Sequence, residues 1–422
     1  MRATQKVIKK LLVIVITFAA LFLLIYHMNE RYTAANLELE ERALLAELGC
    51  ENYSSSEDLS SVRYDLMNNE LSTESVTAKY RKCDAKLRGE IRSRRTTSAT
   101  NLAFSISLHR DVAILESQLK VLFRPNHAFC LHVDAKAEES VFTAVWAMVD
   151  CYKKVWPRAM LVITSEPISI YWGHISQVDA ELKCFELLKS MYSNWTHLLN
   201  LAGSELPIQP IGKIEQEIEE ILNSDQSFVE SGPMPESNRR KIDVRHVLGR
   251  RPDYKWHPGY ELVPLPQPGI LKDTPPHNLV IFKGIKNAIL SRSMVHFLLN
   301  STIAIKFRDW LEDTLSPDEY FFATMVRVNL DADTGEVSQD LRPSIARRDM
   351  CHRYTLWQDG RDCHGKYKRQ ICNIGLLDLP LLRSGPASTC LVVNKFDLNV
   401  DPLAVSCWTQ HLLREEGIEE KV

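Results

Sequence analysis

Three short stretches hold residues whose type and spacing suit chemistry. His132-Val133-Asp134 closes an apolar run. An Asp at such a place can hold a ribose hydroxyl or a metal ion, or it can form a turn or cap a helix. Asp331-Ala332-Asp333 has the D-x-D spacing of carboxylates that share a divalent ion on a diphosphate. It sits in the turn-forming run DADTGE without the further oxygen ligands of an EF-hand, so it reads as a solvated loop. Ser316-Pro317-Asp318-Glu319 reads first as a helix start, with Ser316 as N-cap, Pro317 at the first position and Glu319 completing a capping box. A helix N-terminus favours an ionised carboxylate, the state a general base needs. Ten cysteines run from Cys50 to Cys407 with no C-x-x-C pair, which argues against a zinc ribbon or a thioredoxin motif. An even, scattered count suits disulfides in an oxidising compartment.

These residues need elements to place them. Leu102–Leu108 (LAFSISL), Ala128–Val133 (AFCLHV), Ala159–Ile163 and His197–Leu201 are strand candidates. Between them Ile175, Val178, Leu182, Phe185 and Leu188 recur at helical spacing, a core-facing stripe. Strand–helix alternation predicts an α/β domain with a largely parallel sheet. Ligands bind beyond the carboxyl ends of such strands, where Asp134 falls. The 422 residues are 45% apolar and 25% charged, which excludes global disorder. A net charge of −3 gives no electrostatic case for nucleic acid.

The N-terminal part sets the compartment. Leu11 to Tyr26 (LLVIVITFAALFLLIY), extended by His27 and Met28, is just long enough to cross a bilayer. Arg2, Lys6, Lys9 and Lys10 precede it and Glu30 follows, so the positive-inside rule keeps the tail cytoplasmic. The reading is a tail at 1–10, a signal anchor at 11–28, a lumenal stem at 29–95 and a catalytic domain at 96–422. A cleaved signal peptide is the competing reading and exports the same cysteines. The stem carries an amphipathic helix candidate, Leu37–Leu48, and a polar spacer from Tyr53. Sequons at Asn52, Asn194 and Asn300 agree with lumenal exposure.

FCLHVDAKAEES, YWGHISQV, HLLNLAGSELPI, SPDEYFFAT and VVNKFDLNVDPLAVSC follow one another in this order. Between about Asn101 and Cys407 the chain resembles the core 2/I-branching β-1,6-N-acetylglucosaminyltransferase family, which includes peptide O-xylosyltransferases. The resemblance implies a type II Golgi membrane protein with a GT-A-like, Rossmann-type fold, inversion at the anomeric carbon and no divalent metal or other cofactor. A UDP-sugar would be the donor and an O-glycan the acceptor. Glu319 matches the family's base, and Arg369 and Lys395 match the two cations that meet the diphosphate in place of a metal. Asp134 and Trp172 fall in the uridine region, and Glu230 and Trp357 match acceptor contacts. The competing roles are core packing for either Trp and a plain surface carboxylate for Glu230.

The family's G-S-A-aromatic segment after a Phe stands here as Phe282-Lys283-Gly284-Ile285-Lys286-Asn287, a departure. Asn238, and Arg240 or Lys241, stand near the family's basic acceptor partners. Family matches imply the bridges Cys50–Cys407, Cys83–Cys151, Cys130–Cys184 and Cys363–Cys372, and Cys351 and Cys390 are left to pair with each other. The activity implied is core 2-like transfer of N-acetylglucosamine from UDP in a β-1,6 linkage. A glucosyl or xylosyl donor, or an inactive lumenal glycan-binding protein, are the alternatives.

Overall fold

The structure is a computed structural model that describes residues 35–56, 58–94, 100–249, 261–264, 271–330, 337–340, 350–359 and 362–418. The expected anchor and the Asp331–Asp333 pair lie outside the described residues. The chain divides into two units, residues 1–63 and 64–422. In the first, residues 35–47 are helical, as the run from Leu37 predicts. There Arg42 pairs with Glu38 at 2.6 Å, one turn away.

The second unit begins inside the span read as stem. Its helices α1 (Thr73–Lys82) and α2 (Ala85–Ser93) start at Ser72 and Asp84, whose side chains accept from the amides of Ser75 and Leu87. They bury Val76, Tyr80, Leu87 and Ile91, so this stretch builds core. Strands and helices then alternate: β1 (Leu102–Leu108), α3 (Val112–Leu122), β2 (Ala128–Val133), α4 (Glu139–Val155), β3 (Met160–Ile163), α5 (Ser176–Met191) and β4 (His197–Ala202). α1 and α2 both pack on α4, and Cys83–Cys151 ties them to it.

Short elements follow. They are β5 (Glu205–Pro207), β6 (Ser231–Pro233), α6 (Arg239–Asp243), β7 (His246–Gly249), β8 (Glu261–Pro264), β9 (Phe282–Gly284) and β10 (Ile289–Ser291). After them come α7 (Phe321–Met325), β11 (Val328–Leu330), β12 (Val337–Gln339), β13 (Cys351–Thr355), β14 (Lys366–Lys368), β15 (Ile371–Asn373), β16 (Cys390–Asn394) and α8 (Pro402–Glu415).

The central sheet has the order β10-β4-β1-β2-β3. All its pairings are parallel except β10 against β4. Phe104 stands opposite Phe129 on one side and Leu199 on the other. Helices cover both faces of a parallel sheet, which is why β1 and β2 read as near-continuous apolar runs. A second sheet, β13-β16-β5, stands beyond the strand ends, and β14–β15 and β6–β9 are two-stranded pairs.

Two of the expected strands match residue for residue. The third starts at Met160 and the fourth runs to Ala202. Of the stripe on α5, Ile175, Val178, Phe185 and Leu188 are buried and Leu182 is partly so. The bridges Cys83–Cys151, Cys130–Cys184, Cys351–Cys390 and Cys363–Cys372 are present. Cys50 and Cys407 are each disulfide-bonded as well.

The helix start at Ser316 is corrected. Ser316 takes the left-handed conformation (φ 58°), and its side chain makes no cap hydrogen bond. Pro317–Glu319 is a single 3-10 turn, and α7 begins only at Phe321. The reason is tertiary: the Ser316 amide donates to the Gly173 carbonyl at 2.8 Å, which turns the chain away from capping geometry. Phe321 and Phe322 then drop fully into the core and pin the turn.

Candidate active site

The first group of residues gathers where β1 and β2 end. The Asp134 amide donates to Leu108 O at 2.8 Å and ties the two strand ends together. The Asp134 carboxylate accepts from the amides of Lys136 (2.8 Å) and Ile170 (3.3 Å). Lys136 Nζ lies 2.8 and 2.9 Å from its two oxygens and 4.5 Å from the Tyr171 ring centroid. Asp134 thus anchors the loop that carries Tyr171 and Trp172.

That loop is the hinge of the site. Trp172 is 55% exposed, which overturns core packing as its role. The Arg369 guanidinium stands 5.3 Å from its ring centroid. Gly173 has φ +71°, a conformation that favours glycine. Its carbonyl receives the Ser316 amide, so one loop touches Arg369 on one side and the turn bearing Glu319 on the other.

Arg369 and Gln370 join β14 to β15 with φ of 54° and 64°. Positive φ at two non-glycine residues costs on the order of 1 kcal/mol each. The pairing of Tyr367 with Cys372 and the Cys363–Cys372 bridge hold the turn there. Lys395 follows β16, and its carbonyl accepts from the Ile374 amide at 2.9 Å, one residue beyond β15. Burial, then the neighbouring Lys368 and Arg369, and also Arg110, push the Lys395 ammonium down. Asp397 partly offsets them: Arg110 Nη2 is 2.9 Å and Lys368 Nζ 3.9 Å from its Oδ2. Four cations therefore converge where the predicted pair stands, and a diphosphate seated there would be met by fixed positive charge.

Glu319 ends its turn with Oε2 3.4 Å from Lys241 Nζ and 3.5 Å from Lys283 Nζ. Lys241 comes from α6, whose carbonyl at that residue accepts the Leu315 amide at 3.2 Å. Lys241, expected near the acidic acceptor contact, reaches the Glu319 carboxylate instead, while Arg240 is exposed and Asn238 precedes α6. Asp318 sits beside Glu319 with a buried Oδ1 that finds no hydrogen-bond partner among the described residues. Burial, then the Glu319 charge, pushes the Asp318 carboxyl up to about 6.

Glu230 precedes β6. Its Oε1 accepts from the amides of His352 (2.8 Å) and Arg353 (3.2 Å), so it is a built-in feature rather than a free surface carboxylate. Burial raises its pKa despite those two amides. A Cβ on Gly284 would meet the Glu230 carbonyl at 2.5 Å, so only glycine allows β9 to approach β6 this closely. Trp357 is 49% exposed, which sets aside a core role, and it bridges Ile371 beside the Arg369 turn. Lys286, in the departing segment, is instead a half-buried partner of the buried Glu181 at 2.6 Å.

Asp134, Trp172, Arg369 and Lys395 thus frame one end of the site, and Glu319 with its lysines the other. Sequence reasoning passed over Lys136, Tyr171, Arg110 and Lys368. The first three stand just past strands or beside Trp172, where strand-end ligands are expected. Asn194 and Asn300 are exposed, and the Asn52 side chain lies outside the described residues. Among the described residues the one cluster with metal-ligand spacing is Cys363, Cys372 and Asp378, and both its thiols are spent on a disulfide.

Residues 102–383 match the family model described as Core-2/I-Branching enzyme. A zebrafish (Danio rerio) protein named β-1,3-galactosyl-O-glycosyl-glycoprotein β-1,6-N-acetylglucosaminyltransferase 4 is 28% identical over 326 residues, 76% of this chain and 70% of that protein. A mouse (Mus musculus) N-acetyllactosaminide β-1,6-N-acetylglucosaminyl-transferase is 30% identical over 324 residues, 76% of this chain and 74% of that one. Among solved structures, apo mouse xyloside xylosyltransferase 1 matches 54% of this chain and 81% of its own at 14% identity. Its TM-score is 0.25, too low to build on.

Proposed function

The chain belongs to the Core-2/I-branching enzyme family, and from that premise we propose an inverting, metal-independent β-1,6-N-acetylglucosaminyltransferase acting on mucin-type O-glycans. Its relatives are named for this transfer. The observation that carries the mechanism is the double contact of the Tyr171–His174 loop. Through Gly173 it holds the turn of Glu319, and through Trp172 it meets Arg369. A base and a cluster of cations therefore stand on the two sides of one loop. Inversion requires this: the acceptor oxygen attacks the anomeric carbon from the face opposite the departing diphosphate.

In the proposed step the Glu319 carboxylate takes the proton of the acceptor 6-hydroxyl as its oxygen bonds to the sugar. The anomeric carbon–oxygen bond to UDP breaks, and the electron pair leaves with the diphosphate. Arg369 and Lys395, backed by Lys368 and Arg110, meet the charge that develops there. Glu230 and Trp357 would bind the acceptor, and Asp134 and Trp172 the nucleotide side. The fold is read as GT-A-like, on the strength of the parallel sheet with its site at the strand ends.

We place the enzyme in the Golgi membrane as a single-pass type II protein with its catalytic domain lumenal. The apolar run at residues 11–28 and the disulfide-rich frame support this. Among the described residues no helix is long and apolar enough to cross a membrane.

The test is a donor screen on a core 1 acceptor with the wild type and Glu319→Gln. Transfer from UDP-N-acetylglucosamine that the substitution abolishes is expected. Transfer only from UDP-glucose or UDP-xylose would keep the mechanism and change the donor. Glycan binding without turnover of any UDP-sugar would reject the enzyme.

A further inference from the structure

Lys283 stands in the segment that departs from the family pattern, yet its ammonium is 3.5 Å from the Glu319 carboxylate. Its backbone has little freedom. Phe282 is buried, and its amide donates to Thr324 Oγ1 at 3.1 Å. Gly284 presses on the Glu230 carbonyl, and Lys283 itself pairs with Gly232 across β6–β9. Alternation along a strand sends residues 282 and 284 one way and Lys283 the other, toward Glu319.

We infer that Lys283 is a positioning residue for the general base: with Lys241 it ties down Oε2 of Glu319, leaving Oε1 for the acceptor hydroxyl. This rests on the assignment of Glu319 as base made above. Both lysines address the same oxygen, from two different elements. A carboxylate held at one oxygen by two cations has its rotation about the last torsion restricted. The other groups facing it are Asp318 and Tyr320 from its own turn, and the Glu319 charge raises the pKa of both. Lys286 and Arg353 face Asp318 in turn and lower it. Lys283 thus fixes the base beside a buried acid neighbour.

The experiment compares kcat and KM of the full chain with those of Lys283→Met, Lys283→Gln and Lys283→Arg, using UDP-N-acetylglucosamine and a core 1 acceptor. Loss of the cation that holds Oε2 should lower kcat several-fold in both neutral variants, with KM for the donor unchanged. Lys283→Arg keeps the charge and should restore the wild-type kcat. An unchanged kcat in Lys283→Met and Lys283→Gln, a fall carried by the donor KM instead, or an equal fall in Lys283→Arg would overturn the inference. Retained turnover in Glu319→Gln would instead strike the assignment of the base itself, so the two failures are distinguishable.

Discussion

The two sides of the candidate site handle charge in opposite ways. At the acceptor end the two expected carboxylates are answered: Lys241 and Lys283 meet Glu319, and two backbone amides meet Glu230. At the donor end like charges crowd together, and burial, then Lys368, Arg369 and Arg110, depress the Lys395 ammonium with Asp397 as partial relief. The first arrangement is settled by pairing within the chain. The second crowds like charges, and under the proposed function it would bind a diphosphate and the same cations would stabilise a leaving UDP. A base must be poised before the reaction, whereas a counter-ion site gains from a surplus of positive charge.

The largest effect expected is at the settled end. Glu319→Gln keeps the size of the side chain and removes the proton acceptor, so kcat should fall by about 10³-fold with the donor KM nearly unchanged, measured by UDP release. At the strained end Lys395→Ala should lower kcat/KM by about 10²-fold. That variant sharpens the contrast, because the remaining Arg369 and Lys368 should each lose a repelling neighbour and the folded state should not be destabilised by lost charge. Thermal unfolding of the variant checks this.

A smaller effect is expected at Asp318. Its carboxyl, raised to about 6 from 3.8, binds a proton in the folded state that the unfolded chain has already released. Stability therefore falls as pH rises from about 4 to 6 and then levels off. Asp318→Asn should flatten this, so that its advantage over the wild type grows by about 1–2 kcal/mol between pH 4 and pH 7. Unfolding midpoints at the two pH values measure it.

Much of the frame was legible. β1 and β2 are buried on both faces, so their apolar runs carried their limits, and Asp134 stood at a strand end as the period predicts. The capping box at Ser316 does not form although its local pattern is good, because its fate is decided by Gly173, a residue far earlier in the chain. Lys241 and Lys283 are two of 51 basic residues, and nothing next to them in sequence marks either as a partner of Glu319. Arg110 and Lys368 stayed hidden for the same reason: they meet at Asp397, which only the fold brings between them. Exposure of Trp172 and Trp357 was equally a matter of the surrounding loops, since an indole reads as core by type alone.

The measurement that most directly tests whether these cations replace a metal is transfer from UDP-N-acetylglucosamine by the wild type under excess EDTA, with Lys395→Ala assayed alongside with and without manganese. Full wild-type activity in EDTA, and no rescue of Lys395→Ala by manganese, is the result expected. A strict manganese requirement in the wild type would contradict it.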